Sequence, residues 1–466
     1  MRVAGKEDAV ARTGGAGRTW PFIAGTFAGL VAGAAVAWLA TGRRRTLDRR
    51  LVRALSHGHR APGLVVVPGV MGSQLLRPDG SVAWLNLGNA LGHHDLSLPR
   101  KLPFAKSRDD LRPGPLVGTD AVLPRAFGFT EYADLVELLE GAGFEPGLRS
   151  AGLRYTIFSY DWRRDLVESA RRLGRRLDSL AEAREDPEAR FHLLGHSMGG
   201  LVVRYYLRYG GAEPRKGAPV TWAGARRVAS AVLVATPNGG SLPALDAILS
   251  GSRVGLSYTT LAASVVARMP SVYQLLPPVG THVLLDSKGI PVDADLHEPA
   301  TWKRFGWGPF GPTMDRRLAP ERTFAKAALG RARAFHDALA RPPEQPCPVP
   351  VTLVGGDCLP TLARAVVDEG SPGQPPRFEA DSEAEQDLMF EAGDGRVTRA
   401  SSLAAHLPGA CDAEAKCGIP ETSRVFFGGA DHHGLYADPA FQSLILRLLL
   451  KPGAGTKPVA PPPHAN

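Results

Sequence analysis

The spacing of hydrophobic and polar residues predicts an alternation of strands and helices. Short runs rich in β-branched and aromatic residues, each stopped by Gly or Pro, predict buried strands. The expected strands are Leu64 to Gly69, Tyr155 to Trp162, FHLLG from Phe191, Val228 to Ala235, Val349 to Gly356 and Arg424 to Gly429. The expected helices are Glu131 to Gly141, Leu166 to Glu185, LVVRYYLRYG up to Gly210, and Phe441 to Leu450. This order predicts an α/β fold in which helices cover both faces of a mostly parallel sheet.

Two long stretches lack such periodicity. Residues 77–128 are rich in Pro and Gly and predict an insertion over one end of the sheet. Residues 241–346 contain apolar clusters at Val265 to Leu276 and Phe305 to Phe310. Because long insertions in compact domains are usually functional or disordered, we expect this stretch to be a cap or lid. The folded domain is expected to span residues 61–450.

The N-terminal region predicts a membrane anchor. Trp20 to Ala40 is an uncharged apolar run, long enough to cross a bilayer as a helix. We therefore expect a transmembrane helix or signal anchor at 20–41, between a basic segment at 1–19 and a basic linker at 42–60. A cleaved signal peptide is the alternative, because Ala35-Val36-Ala37 resembles a cleavage site. Beyond the folded domain, 451–466 is expected to be a disordered tail.

Charge and cysteine usage bear on the partners and the compartment. The chain has 466 residues and a net charge of +9, which can favour anionic membranes or nucleic acid. No nucleic-acid motif is present, so the membrane is the expected partner. The arginines after the apolar run favour a cytoplasmic domain, whereas four clustered cysteines would suit disulfides in an oxidising compartment. The side of the membrane stays open, and no metal or other cofactor is expected.

The segment Gly195-His196-Ser197-Met198-Gly199 predicts a nucleophile. It lies between an expected strand and an expected helix, which is the context of a nucleophile elbow rather than of a chance Gly-Ser turn. Such a turn strains the serine and requires small residues two positions before and after it. The following helix start offers N–H groups to a developing negative charge. We therefore expect Ser197 to attack a carbonyl carbon.

An oxyanion formed by that attack needs backbone donors. One is expected from the residue after the nucleophile, Met198. The second is expected from the loop after the first strand, PGVMGS, where Val70 or Met71 could supply its N–H.

A serine nucleophile needs a histidine base to take its proton and an acidic residue to orient that histidine. The spacing of residues determines these two positions less well. His432 and His433 both follow the last expected strand, and spacing does not choose between them. The acid should lie between the serine and the base. Asp394 is exposed by flanking glycines, and Asp357 directly follows an expected strand, so both carboxylates remain candidates.

Six motifs in order give a family resemblance. They are VVVPGVMGSQL, YDWR, GHSMGG, TPNGGS, PSVYQLLP and GDGRVTRAS. Together they resemble the lecithin:cholesterol acyltransferase family of lipid acyltransferases and phospholipases, over about residues 61–445. The resemblance implies an α/β-hydrolase fold. It also implies Asp394 rather than Asp357 as the acid, and His432 as the base with His433 as the fallback.

The resemblance carries two further implications and two departures. Family members carry a disulfide near the acid, which implies Cys358 paired with Cys411 or Cys417. Arg396 occupies a position that is usually small or polar, which could narrow the pocket. The insertion after the first strand also lacks an obvious disulfide-closed lipid-binding loop, so a preference for a particular lipid surface does not transfer.

These expectations combine into a function. The chain is expected to be a lipid acyl-ester hydrolase or O-acyltransferase that works through an acyl-enzyme. Its partners would be a lipid or other acyl-ester substrate and the membrane, reached through a single-pass anchor. A carboxylesterase for small esters is the alternative enzyme. A non-catalytic membrane-anchored scaffold is the alternative class, but such a relic should have lost a catalytic residue, and none is missing.

Overall fold

Seven strands form the central sheet of the computed structural model, and every neighbouring pair runs parallel. The structure describes residues 62–84, 95–118, 131–148, 152–254, 259–311, 315–407 and 418–450. The strands are β1 (Gly63–Val67), β2 (Glu145–Pro146), β3 (Arg154–Ile157), β4 (Phe191–His196), β5 (Val228–Val234), β6 (Val351–Gly356) and β7 (Thr422–Gly428). Their spatial order is β7-β6-β5-β4-β1-β3-β2. The predicted α/β architecture with a mostly parallel sheet is confirmed.

Helices connect and follow these strands. They are α1 (Glu131–Gly141), α2 (Leu166–Ala183), α3 (Met198–Tyr209), α4 (Pro243–Ser250), α5 (Ala263–Val266), α6 (Pro270–Tyr273), α7 (Pro299–Phe305), α8 (Ala319–Ala340), α9 (Glu383–Met389), α10 (Arg399–Ser402) and α11 (Pro439–Leu450). Single 3₁₀ turns occur at Phe104–Lys106, Ala225–Arg227, Gly308–Phe310, Arg316–Leu318 and Leu435–Ala437. Short strand pairs join Ser252–Val254 to Thr259–Leu261, Leu284–Leu285 to Ala365–Val366, and Leu359–Leu362 to Phe390–Gly393.

The middle of the sheet is buried. All residues of β1, β4 and β6 are buried, as expected for parallel strands covered on both faces. The β1 strand pairs with both β3 and β4, so Val66 lies level with Ile157 on one side and with Leu194 on the other. The carboxyl ends of β1, β4 and β5 therefore meet at one edge of the sheet.

One expected strand is shorter than its sequence pattern. The run from Tyr155 to Trp162 was expected to be extended throughout, but β3 ends at Ile157. The aromatic residues that follow are buried because they reach back to the loop after β1. The Tyr160 hydroxyl donates to Pro68 O at 2.8 Å, and Trp162 Nε1 donates to Ser73 O at 3.0 Å. Buried aromatic residues in a loop thus imitate the composition of a strand.

The described parts of the 77–128 insertion include regular structure. Val82–Trp84 and Arg112–Leu116 flank Ser73–Leu76 in a three-stranded antiparallel sheet. The Trp84 ring is fully buried and packs edge-on against Trp162, with 5.6 Å between ring centroids. This contact fastens the insertion to the loop that follows β3.

The 241–346 stretch contains a long helix that its sequence pattern did not predict. The α8 helix has 22 residues and packs on α3, the helix after Ser197. The Tyr209 hydroxyl donates to Ala338 O at 2.8 Å, and the Tyr205 and Phe335 rings stack at 5.2 Å. The helix escaped prediction because alanines make up much of its buried face and give a weak hydrophobic signal.

Several expectations fall on residues that the structure does not describe. The anchor expected at 20–41, its flanking basic segments and the tail at 451–466 lie outside the described residues. Within the described ranges, no helix has the length and apolar character needed to cross a membrane.

Two of the four cysteines lie in the described part of the chain. Cys347 and Cys358 have no disulfide partner among the described residues. The pairing of Cys358 with Cys411 or Cys417 that the family resemblance implied stays a prediction. Cys411 and Cys417 lie outside the described residues. Burial raises the pKa of the Cys347 thiol to about 11, which keeps it protonated at neutral pH.

A buried ionic cluster joins α3 to the segment just before β7. Glu421, just before β7, accepts from Arg204 Nε at 2.6 Å and from Arg208 Nη1 at 2.9 Å. Arg204 also donates to Asn238 Oδ1 at 3.0 Å and to Leu339 O at 3.2 Å. Burial acts to raise the pKa of Glu421, but the two guanidinium groups outweigh it and hold that pKa below its ordinary value. The carboxylate therefore stays charged.

Replacing Glu421 by Gln tests this cluster. The variant leaves two buried guanidinium charges without a counter-charge, so we expect the free energy of unfolding to fall by about 3–5 kcal/mol. Denaturant titration measures the change. Glu188→Gln, at an exposed position, should shift it by less than about 0.5 kcal/mol. Equal losses in the two variants would show that the cluster does not stabilise the fold.

Candidate active site

Ser197 occupies a strained turn between β4 and α3. Its backbone angles are φ 52° and ψ −127°, in a region that residues with a side chain rarely adopt. The Ser197 N–H donates to Val234 O at 2.7 Å, which ties the turn to the end of β5. Strain of this kind persists only where the surroundings enforce it, and it concentrates at functional sites.

Three glycines make the turn possible because backbone atoms or a buried side chain lie directly against each of them. A Cβ atom at Gly195 would lie 2.7 Å from the Cα of Gly200. One at Gly199 would lie 2.2 Å from Val67 O, and one at Gly200 would lie 1.8 Å from Thr236 Oγ1. These contacts explain why the motif requires glycines around Ser197.

The loop after β1 lies directly beside the serine. A Cβ atom at Gly69 would lie 2.9 Å from Ser197 Cβ and 3.4 Å from Ser197 Oγ. In the described part of the chain, no acceptor makes a hydrogen bond with the N–H groups of Val70, Met71 or Met198. These three groups are the expected oxyanion donors, and each is free to bind an acceptor.

Asp394 and His432 form a buried pair. His432 Nδ1 lies 2.8 Å from Asp394 Oδ2, and the His432 N–H donates to Asp394 O at 2.8 Å. Asp394 Oδ1 accepts from the N–H groups of Arg396 at 2.9 Å and Val397 at 2.7 Å. Burial acts to raise the pKa of Asp394, but His432 and these two N–H groups outweigh it and lower that pKa. A charged Asp394 only accepts, so His432 carries its proton on Nδ1 and leaves Nε2 as the basic nitrogen.

The loops that carry Asp394 and His432 converge at the end of β6. A Cβ atom at Gly356 would lie 2.1 Å from Ala430 O and 3.0 Å from Asp394 Cβ. The rival acid, Asp357, instead binds Arg399 Nη1 at 2.9 Å. The structure therefore pairs Asp394 with His432, and the second acidic candidate with an arginine.

His433, the residue after His432, has a different environment from that of His432. His433 packs edge-on against His432, with 5.4 Å between ring centroids. Its backbone N–H donates to Asp431 Oδ1 at 3.0 Å. The hydrogen bond with Asp394 is made by His432, which is the histidine that the family resemblance implied.

Sequence reasoning missed a tyrosine that connects three loops of the site. The Tyr132 hydroxyl, on α1, accepts from the Gly69 N–H at 2.7 Å and lies 2.8 Å from His196 Nδ1. His196 Nε2 faces His432 O at 3.4 Å, and a carbonyl oxygen can only accept. A neutral His196 ring therefore carries its proton on Nε2, and the Tyr132 hydroxyl donates to Nδ1. Burial, followed by the nearby His432 and His433, holds the pKa of His196 well below its ordinary value, so this ring is neutral.

A cavity lies beside the loop that carries Asp394. It has a volume of about 220 Å³, and Arg396 and His406 contribute to its wall. Burial, aided by Arg204, lowers the pKa of His406 to about 4, which keeps that ring neutral at physiological pH. Within the described ranges, no group of three or more His, Cys, Asp or Glu side chains is arranged to hold a metal ion.

A protein-family comparison agrees with the family resemblance drawn from the sequence motifs. The family described as lecithin:cholesterol acyltransferase matches residues 125–303. The expected family resemblance is confirmed. The matched segment includes Ser197 and ends before Asp394 and His432.

Solved structures are similar at low identity. One is the Tle4–Tli4 complex, at 15% identity, covering 84% of this chain and 98% of that one, with a TM-score of 0.47. Another is the mature lipase BlEst2 of Bacillus licheniformis, at 12% identity, covering 84% and 92%, with a TM-score of 0.36. Phospholipase PlaB from Legionella pneumophila is 12% identical, covers 63% and 39%, and has a TM-score of 0.24. No curated protein matches the sequence.

Replacing Tyr132 by Phe tests the connection between the loops. The variant removes the acceptor of the buried Gly69 N–H and the donor to His196. We expect the free energy of unfolding to fall by about 1–3 kcal/mol in denaturant titration. Tyr206→Phe is the matched control, because the Tyr206 hydroxyl makes none of the hydrogen bonds described for this chain. An equal or smaller loss for Tyr132→Phe would contradict the network.

Proposed function

We propose that this protein is a serine-dependent lipid acyl-ester hydrolase or O-acyltransferase in which Ser197, His432 and Asp394 act together. The proposal rests on one observation above all. A strained serine at the start of α3 shares the carboxyl end of the sheet with a buried His–Asp pair, whose Nδ1–Oδ2 distance is 2.8 Å. A general base held by a carboxylate is the arrangement that activates a serine hydroxyl.

The first half-reaction forms an acyl-enzyme. His432 Nε2 takes the proton from Ser197 Oγ while that oxygen bonds to the ester carbonyl carbon. The carbonyl oxygen becomes an oxyanion, which the N–H groups of Met198 and of Val70 or Met71 stabilise. Asp394 stabilises the imidazolium that His432 has become. The C–O bond to the leaving alcohol then breaks, and His432 gives its proton to that alcohol.

The second half-reaction releases the acyl group. His432 Nε2 takes a proton from water or from an acceptor alcohol, whose oxygen attacks the acyl carbon. The tetrahedral intermediate then collapses, and Ser197 Oγ leaves with the proton that His432 returns. Water yields a fatty acid, whereas an alcohol yields a new ester. The two outcomes differ only in which acceptor reaches the acyl carbon.

The lipid character of the substrate is supported by the family match. Residues 125–303 match a family named for acyl transfer between lipids. Within 241–346, Trp302, Phe305 and Phe310 are buried in the hydrophobic core, so a site for long acyl chains in this stretch is part of the proposal. We also propose that residues 20–41 anchor the enzyme in a membrane, which would keep it close to such substrates.

Three site variants test the mechanism. Full-length protein in detergent is incubated with a labelled phospholipid and a long-chain alcohol, and the labelled fatty acid and ester are quantified. We expect Ser197→Ala, His432→Gln and Asp394→Asn each to lower kcat by about 10⁴-fold. His433→Gln and Asp357→Asn are the matched controls and should stay near the wild-type rate.

Other outcomes would change the proposal. Full activity in Ser197→Ala would exclude this serine as the nucleophile. A loss in His433→Gln with none in His432→Gln would move the base by one residue. Turnover of short-chain esters alone would indicate a carboxylesterase. Absence of turnover, with correctly folded protein, would favour a non-catalytic scaffold.

A further inference from the structure

A second and larger cavity lies beside the edge of the central sheet. It has a volume of about 550 Å³, within the range of small-molecule sites. Its lining comprises Arg108, Ile157, Phe158, Ser159, Glu168, Arg172, Arg175 and Arg176. The end of β3 supplies one side and α2 supplies the other. In the sheet, β1 separates β3 from β4, the strand that leads to Ser197, and no residue of the proposed catalytic set lines this cavity.

The arginines of α2 form one charged face. Arg175 and Arg176 lie three and four residues after Arg172, so each projects from the side of the helix that carries Arg172. Like charges at this spacing repel one another and destabilise an isolated helix. None of the three forms an ion pair within the described residues. The face therefore presents guanidinium groups to the cavity without acidic partners.

The two carboxylates that favour the charged form of Arg172 are already bound by other arginines. Glu168 accepts from Arg164 Nη2 at 2.6 Å and from Arg108 Nη2 at 3.0 Å. Asp161 accepts from Arg163 Nη2 at 2.8 Å. Glu168, the acidic residue that lines the cavity, is therefore shared with two other arginines and only partly offsets the charge of Arg172.

Arg172 is the least favourably placed of these charges. Its side chain is partly buried, and burial lowers its pKa. Arg164 and Arg108 lower that pKa further, against the opposing effect of Glu168 and Asp161. Charged groups that are taken out of water are normally paired, so an unpaired guanidinium at a cavity wall indicates a ligand of opposite charge.

We propose that this cavity binds a phosphate group through Arg172, Arg175 and Arg176. Guanidinium groups present fixed pairs of N–H donors that match phosphate oxygens in bidentate contacts. The Ser159 hydroxyl, on the opposite wall, is a further donor at the end of β3. The volume exceeds what inorganic phosphate needs and leaves room for an attached organic group. The phosphate can therefore belong to a free ion or to the head group of an anionic phospholipid.

Calorimetric titration with sodium phosphate tests the site directly. The full-length protein in detergent is titrated at constant ionic strength, with sodium chloride as the blank. We expect saturable phosphate binding that Arg172→Gln weakens about tenfold or more, because it removes a charge-assisted contact. Arg176→Gln is a second variant at an exposed position, where a fold defect is not expected, and it should also weaken binding.

Two controls separate this site from charge effects and from catalysis. Arg190→Gln removes the same charge from an exposed position outside the cavity, and it should bind phosphate like the wild type. Ser197→Ala should also bind normally, because the cavity does not include the serine. The phosphate site can thus fail while the proposed enzyme mechanism holds, and the reverse is equally possible.

Mixed micelles distinguish the two sources of phosphate. Binding of phosphatidic acid in detergent micelles is compared with binding of phosphatidylcholine in the same micelles. Phosphate binding that depends on Arg172 supports a site for a free ion. Binding of phosphatidic acid alone, with the same dependence, supports a lipid head group. No binding of either probe, or an equal loss in Arg190→Gln, would overturn the proposal.

Discussion

The turn at Ser197 depends on packing so close that no Cβ atom fits at the glycines around it. Gly199 lies against the end of β1, Gly200 lies against Thr236 after β5, and Gly195 lies against Gly200 itself. This packing holds Ser197 at a positive φ, a conformation that costs about 1–3 kcal/mol for a residue with a side chain. Any larger residue at these glycines would push apart three strands and a helix. The rest of the site is arranged around this contact.

Polar contacts extend this constraint to the other loops. Tyr132 links the loop after β1 to His196, which stands one residue before the serine and faces the His432 carbonyl. Glu421, just before β7, accepts from Arg204 and Arg208 of α3, and β7 is the strand that leads to His432. Buried polar groups thereby connect α3 to the loop that carries His432. Losing any of these groups leaves unpaired donors or charges.

Much of this arrangement could be predicted from the sequence. The strand–turn–helix pattern with glycines identified Ser197, because sterics demand those small residues. Spacing could not choose between Asp394, which glycines flank, and Asp357, which directly follows an expected strand. Nor could it choose between His432 and His433, which both follow the last expected strand. The family resemblance made both choices, and the Asp394–His432 pairing agrees with them.

Other features left no usable signal in one sequence. Tyr132 resembles any buried aromatic residue of an amphipathic helix, and its partners are 63 and 64 residues away. Glu421 reads as a surface charge until its arginines, more than 200 positions earlier, are folded against it. The alanine-rich α8 has a weak apolar face, and the buried aromatic residues after Ile157 imitate a strand. These features depend on long-range packing, which local patterns do not encode.

The most direct test of the account is the chemical reactivity of Ser197. The full-length protein is treated with a fluorophosphonate probe, and the modified peptide is identified by mass spectrometry. If His432 activates Ser197, a single adduct on Ser197 is expected. Its labelling rate should fall sharply in His432→Gln and stay near wild type in His433→Gln. An adduct on another residue, or labelling that does not depend on His432, would contradict this mechanism.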